Sequence, residues 1–101
     1  MTFAEQMDEV ESLFKKVEAS TRRFLAGGMT NNEDTLKAIF RLNNEIGRVA
    51  KSHPGKNSNL RELQAYVNMV TVGLKHGRPN DLREGLIGAE QAIRKSNDST
   101  V

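Results

Sequence analysis

Residues 60–74 carry the pattern that most constrains the fold of this 101-residue chain. Apolar residues recur there every three or four positions, which places them on one face of an α-helix; they are Leu60, Leu63, Val67, Val70 and Leu74. Ala65, Met69 and Val72 form a second apolar face, about 120–180° from the first. A helix that is apolar on two sides is either sandwiched within its own domain or lies between its domain and a partner.

Three further segments of the chain show helical periodicity. A capping box of Thr2 and Glu5 begins the first helix, and Gly27 ends it. Pro54 ends the second helix because proline lacks the N–H that a continuing helix needs. Together the patterns predict helices over about 3–26, 32–51, 59–76 and 81–95.

Four amphipathic helices joined by short loops predict an all-α, antiparallel four-helix bundle. We expect one domain over 1–95 and a flexible C-terminal tail over 96–101. An irregular packing of four helices is the alternative. The fourth helix is slim at Gly85, Gly88, Ala89 and Ala92, so a neighbouring helix could approach it closely.

The apolar stripes of the first two helices make two further predictions. In the second helix the predicted core stripe is Leu36, Ile39, Phe40, Ile46, Val49 and Ala50. The first helix is the longest, so its N-terminal end should overhang the bundle. Phe3 and Met7 would then lack an intramolecular partner and bind another chain, unless a bend near Ser20–Thr21 or the C-terminal segment covers them.

No residue pattern in the chain is typical of an active site. Cysteine is absent, which excludes disulfides and thiolate chemistry. His53 and His76 lie near predicted helix C-termini, where a capping role explains them better than a zinc site. We therefore expect no catalytic residue, no cofactor and no metal. The acidic N-terminus does not resemble a secretory signal and no apolar run could span a membrane, which favours a cytoplasmic protein with no membrane contact.

Basic side chains cluster at one end of the predicted bundle. The first and third loops meet there, together with Arg22, Arg23, Lys75, His76, Arg78 and Arg83. Such a cluster could contact an anion or nucleic acid, and residues 60–94 could also form a helix-turn-helix. The net charge of +2 is small for a nucleic-acid-binding protein. Ordinary complementation of the helix dipoles is the simpler explanation.

The second face of the third helix decides the functional hypothesis. A bundle of this size does not need Ala65, Met69 and Val72 for its own core. We expect a non-enzymatic protein that acts by protein–protein association, as a regulator, inhibitor, adaptor or chaperone-like factor. Its partner would be a second copy in a homodimer, a heterologous protein, or both. A nucleic-acid-associated regulator is the alternative.

Overall fold

Four α-helices account for most of the described chain. The computed structural model describes residues 2–27 and 32–98. Its helices are α1 (Phe3–Leu25), α2 (Asn32–Ser52), α3 (Asn57–His76) and α4 (Pro79–Asp98), with a 3-10 turn at Pro54–Lys56. No strand occurs within these residues, so the predicted all-α class is confirmed.

The helices form a closed ring in which each packs against the next and α4 returns to α1. Short connections make successive helices antiparallel. The contact between α3 and α4 is the most extensive, and among neighbouring pairs α1 and α4 contact each other least. The predicted antiparallel four-helix bundle is confirmed, with one tight side and one loosely closed side.

Local hydrogen bonds explain where the helices begin and end. The Thr2 hydroxyl accepts from the Glu5 backbone N–H at 3.2 Å, and the Thr2 backbone N–H donates to the Glu5 carboxylate at 3.4 Å, which forms the predicted capping box. The Thr2 hydroxyl also donates to that carboxylate at 3.0 Å. These bonds from the Thr2 hydroxyl and from its backbone N–H hold the pKa of the Glu5 carboxyl below its usual value. Gly77 has a positive φ of 62°, which lets the chain leave α3. Pro79 is the first residue of α4, where its missing N–H costs nothing.

The core runs along the inner faces of all four helices. In α2 it consists of Ile39, Leu42, Ile46 and Val49. Phe40 was predicted to join this stripe, but that prediction is wrong because Phe40 is 67% exposed. Phe40 follows Ile39 and points about 100° away from it, toward the solvent side of α2. Leu42, which was absent from the predicted stripe, is fully buried in the core.

The predicted overhang of the first helix does not occur. α1 has 23 residues, against 21, 20 and 20 in the other helices, so their lengths are nearly equal. Phe3 and Met7 are 7% and 0% exposed and belong to the chain's own core. The His53 ring, just after α2, meets the Phe3 ring edge-on with centroids 5.2 Å apart. The prediction that Phe3 and Met7 lack an intramolecular partner and bind another chain is therefore wrong.

The C-terminal helix is longer than its apolar stripe indicates. α4 continues through Asp98, so residues 96–98 of the predicted tail are helical. Ser96 is buried, and its hydroxyl donates to the Ala92 carbonyl at 3.0 Å, so a polar residue fits the inner face. The remaining tail, 99–101, lies outside the described residues.

Candidate functional site

The close approach of α3 and α4 is made possible by glycines. A β-carbon at Gly85 would lie 2.7 Å from Val70 Cγ2 and 3.0 Å from the Tyr66 carbonyl oxygen. At Gly88 it would overlap the Tyr66 ring, so this ring occupies the space that a side chain at position 88 would take. The prediction that α4 is slim enough for close packing is thus confirmed.

The second apolar face of α3 lies outside the core. Ala65 and Val72 are exposed and Met69 is half-buried. Val72 keeps 42% of its surface exposed, which is high for a large aliphatic side chain. Ala65 and Val72 therefore do not belong to the chain's own core, and Met69 lies at its edge.

Ile87 extends the apolar face from α3 onto α4. It is 55% exposed and shares an open groove of about 400 Å³ with Met69. The groove is lined by Tyr66, Met69, Glu84, Ile87, Gly88 and Gln91. We call Ala65, Tyr66, Met69, Val72 and Ile87 the α3–α4 surface. Its shallow, mostly apolar form suits the side chains of another protein better than an enclosed small molecule.

The charges around the α3–α4 surface are mainly positive. Residues 57–76 contain a single acid, Glu62, and its carboxylate binds Lys95 of α4 at 3.2 Å. Arg61 and Lys75 are exposed near the two ends of α3. Glu84, on the α4 side of the groove, is the nearby carboxylate that lines it. A partner with acidic residues at the edge of its apolar contact would complement α3.

Phe3 and Met7, the other predicted partner-binding residues, lie in the core and not on a surface. Gln6 is buried beside them, and its side-chain oxygen lies 2.7 Å from His53 Nε2. The His53 backbone N–H donates to the Val49 carbonyl at 3.0 Å, as expected of a residue that ends a helix. His53 thus covers the N-terminal end of the core.

The six predicted cations lie at the end of the bundle where α1 and α3 end and α4 begins. Arg22 and Arg83 line one groove between α1 and α4. Arg23, Lys75 and His76 are exposed in the last turns of their helices. Arg22 lies 3.5 Å from the Glu18 carboxylate, and Arg78 lies 3.9 Å from the Asp81 carboxylate.

The geometry of α3 and α4 does not suit a helix-turn-helix. The helices run side by side from Glu62 beside Lys95 to Gly73 beside Leu82, a length of about 16 Å. A helix-turn-helix instead crosses its two helices at a large angle. Any nucleic-acid contact would therefore depend on the cationic end and not on α4 as a recognition helix.

Within the described residues no group of three or more His, Asp or Glu side chains is placed to hold a metal ion. No helix of residues 2–27 and 32–98 is long and apolar enough to cross a membrane. Comparison with protein-family models, with curated proteins and with solved structures found no significant match to this chain. The surfaces described above are therefore the basis for a functional proposal.

Sequence reasoning missed Ile87 as a surface residue. Its neighbour Leu86 belongs to the inner stripe of α4, and Ile87 follows it by one position, about 100° around the helix. The sequence does show that Ile87 lies outside the apolar stripe of α4, which indicates an exposed isoleucine. The sequence does not show that α4 packs beside the second face of α3. This packing places Ile87 and Met69 in one groove.

Proposed function

We propose that this protein acts by binding another protein chain through the α3–α4 surface. The observation that carries the proposal is the exposure of large aliphatic side chains on two packed helices, 42% for Val72 and 55% for Ile87. Single exposed apolar residues are common, but here Ile87 shares a groove with Met69, and Val72 lies three residues from Met69 on α3, so the three side chains are neighbours. The proposed role is non-enzymatic, as a regulator, inhibitor, adaptor or chaperone-like factor, in the cytoplasm.

The energetics favour a side-chain-into-groove contact. Complete burial of an aliphatic side chain stabilises by about 1.5–3 kcal/mol, so covering the exposed halves of Val72 and Ile87 contributes about 1 kcal/mol each. Met69 is flexible and polarisable, which lets the groove adapt to the partner. Such a patch needs further contacts around it to reach micromolar affinity, which corresponds to about 8 kcal/mol.

The partner proposed is a second copy of the chain, a heterologous protein, or both. Met69→Asp tests the surface because it places a charge within the groove that the partner must cover. We expect the variant to lose self-association, measured as solution mass by light scattering over a concentration series, or to lose binding to an identified partner. Its far-ultraviolet circular dichroism should stay that of the wild type, because Met69 lies outside the core.

Asn44→Asp is the matched control, since it adds the same charge at an exposed position of α2, away from the α3–α4 surface. It should assemble and bind as the wild type does. Equal behaviour of the two variants would contradict the proposed surface. Unfolding of Met69→Asp alone would also contradict it, since that result would assign the residue to the core.

A second candidate is a nucleic-acid-associated regulator that uses the cationic end of the bundle. The presence there of six cations from three segments favours it. Salt dependence separates the two functions, because phosphate contacts weaken steeply as salt rises and an apolar interface does not. Tight, salt-sensitive binding of a DNA or RNA duplex, unaffected by Met69→Asp, would replace the first proposal with this one.

A further inference from the structure

The α1–α4 seam, where neighbouring helices contact each other least, carries two grooves of its own. The first has a volume of about 390 Å³ and is lined by Arg22, Leu25, Ala26, Arg83, Leu86 and Ile87. The second has a volume of about 210 Å³ and is lined by Glu11, Phe14, Lys15, Glu18, Glu90, Ile93, Arg94 and Asn97. The first groove lies where α1 ends and α4 begins, and the second lies beside the middle of α1 and the end of α4. The two grooves therefore follow one another along the seam.

The first groove combines an apolar floor with positive charge. Arg22 and Arg83 come from different helices, and the described residues that line the groove include no carboxylate. Arg22 has Glu18 at 3.5 Å, an exposed contact of low energy. Arg83 has a neutral partner, the Asn80 side-chain oxygen, at 3.5 Å. A guanidinium binds carboxylates in a planar, two-bond geometry, so this groove favours an acidic ligand with an apolar part.

The second groove is apolar at its floor, and its rim carries three carboxylates and two cations. Phe14 and Ile93 form the floor and are 3% exposed each. Four of the rim charges pair with one another, Lys15 with Glu11 at 3.6 Å and Arg94 with Glu90 at 2.9 Å, while the fifth, Glu18, lies 3.5 Å from Arg22 of the first groove. An uncharged apolar side chain is the ligand that such a groove accepts at least cost.

The separation of the grooves indicates the shape of the ligand. Leu86 and Ile93 are seven residues apart on α4, and Phe14 and Leu25 are eleven apart on α1. At about 1.5 Å per residue these spacings correspond to roughly 10–16 Å. A helix lying along the seam would reach both grooves with side chains two to three turns apart.

We propose that the α1–α4 seam binds an amphipathic helix from another protein. This helix would carry two apolar side chains seven to eleven residues apart and a carboxylate beside the one nearer Arg22 and Arg83. The site is distinct from the α3–α4 surface, although Ile87 borders both. The first groove therefore favours a ligand helix with a carboxylate beside its first apolar side chain. The second groove sets how far along the ligand helix its second apolar side chain must lie.

The test is selection from a phage-displayed library of 18-residue α-helical peptides that are randomised along one face. Against the wild-type protein we expect enrichment of peptides with acids beside one of two spaced apolar residues. The best peptide is then measured by fluorescence anisotropy. Arg22→Glu with Arg83→Glu should weaken it by about tenfold or more, since the peptide loses its charge-assisted hydrogen bonds and its carboxylate meets two like charges.

Arg23→Glu with Lys75→Glu is the matched control, because it makes the same charge change at the same end of the bundle. It should alter the affinity by less than about threefold, as expected of screened surface charges. All four residues are exposed, so each double variant should fold, which circular dichroism checks. Met69→Asp should leave the peptide bound, which separates this site from the proposed function.

Three results would overturn the proposal. The first is a selection that yields no binders or binders without acidic residues. The second is equal weakening by the two double variants, since general attraction to the cationic end would then explain the binding. The third is loss of binding in Met69→Asp, because the peptide would then occupy the α3–α4 surface.

Discussion

Replacing Gly85 by alanine tests how closely α3 and α4 approach. The new β-carbon would lie 2.7 Å from Val70 Cγ2, 3.0 Å from the Tyr66 carbonyl oxygen and 3.2 Å from the Val70 backbone nitrogen. Ordinary contacts between heavy atoms are about 3.5–4.0 Å. Since two of the three atoms belong to the α3 backbone, no side-chain rotation relieves the overlap and α4 must move away.

The two opposing energies decide the sign of this effect. Alanine gains about 1 kcal/mol over glycine in a helix interior, whereas overpacking a core costs about 1–3 kcal/mol. Backbone contacts place Gly85→Ala near the upper end of that range. The free energy of unfolding should therefore fall by about 1–2 kcal/mol.

Gly47→Ala is the matched control because a β-carbon there would meet no described atom within 4 Å. This variant should gain about 0.5–1 kcal/mol. Urea titrations followed by circular dichroism measure both free energies. If Gly85→Ala is stabilised as much as Gly47→Ala, the helices are farther apart than described and the reasoning fails.

Three further predictions concern the core and the helix ends. Leu42→Ala should lower the free energy of unfolding by about 2–5 kcal/mol, since Leu42 is fully buried. Phe40→Ala should lower it by less than about 0.5 kcal/mol, since Phe40 is exposed. Urea titrations measure both values, and equal losses would contradict the orientation of α2. Thr2→Ala should raise the pKa of Glu5 towards its usual value, measured by NMR titration. Because folding lowers this pKa, its stabilising contribution is present above the unfolded pKa of Glu5 and is lost as pH falls through the folded value; Thr2→Ala should weaken that dependence. Gly77→Ala should lower stability by about 1–2 kcal/mol in urea titrations, because φ at this residue is 62°, and an unchanged midpoint would disprove the strained turn.

The fold was predictable wherever local chemistry sets the structure. The Thr2–Glu5 capping box is present as its spacing indicates. The apolar stripe from Leu60 to Leu74 is buried at every position. The small residues of α4 do allow close packing, because Gly85 and Gly88 lie against α3.

Errors arose where rotation or length of a helix depends on its neighbours. Phe40 and Leu42 are both plausible core residues by period, and packing within the bundle selects Leu42. The overhang at Phe3 was predicted because the lengths of α3 and α4 were underestimated. Both helices extend beyond their apolar stripes. Pro79 was assigned to a loop, although proline is well suited to the first position of a helix.

The candidate surfaces were predictable only in part. For the second face of α3 the periodicity left internal core and interface as alternatives, and the 42% exposure of Val72 shows that this residue is not core. The addition of Ile87 required the α3–α4 packing, which no periodicity within one helix contains. Likewise the cationic cluster was predicted as a group, whereas the pairing of Arg22 with Arg83 in one groove depends on how α1 and α4 are rotated.

Site-specific photo-crosslinking in the source cell tests the central claim most directly. A photoreactive amino acid is placed at Met69, Val72 or Ile87, and at Ser12 and Asn44, which are exposed positions of α1 and α2. We predict crosslinks to one defined protein, or to a second copy of the chain, from the first three positions and none from the two controls. Crosslinks from the controls alone, or no crosslink from Met69 and Val72, would contradict the proposal that this protein works through the α3–α4 surface, since Ile87 also lines the α1–α4 seam.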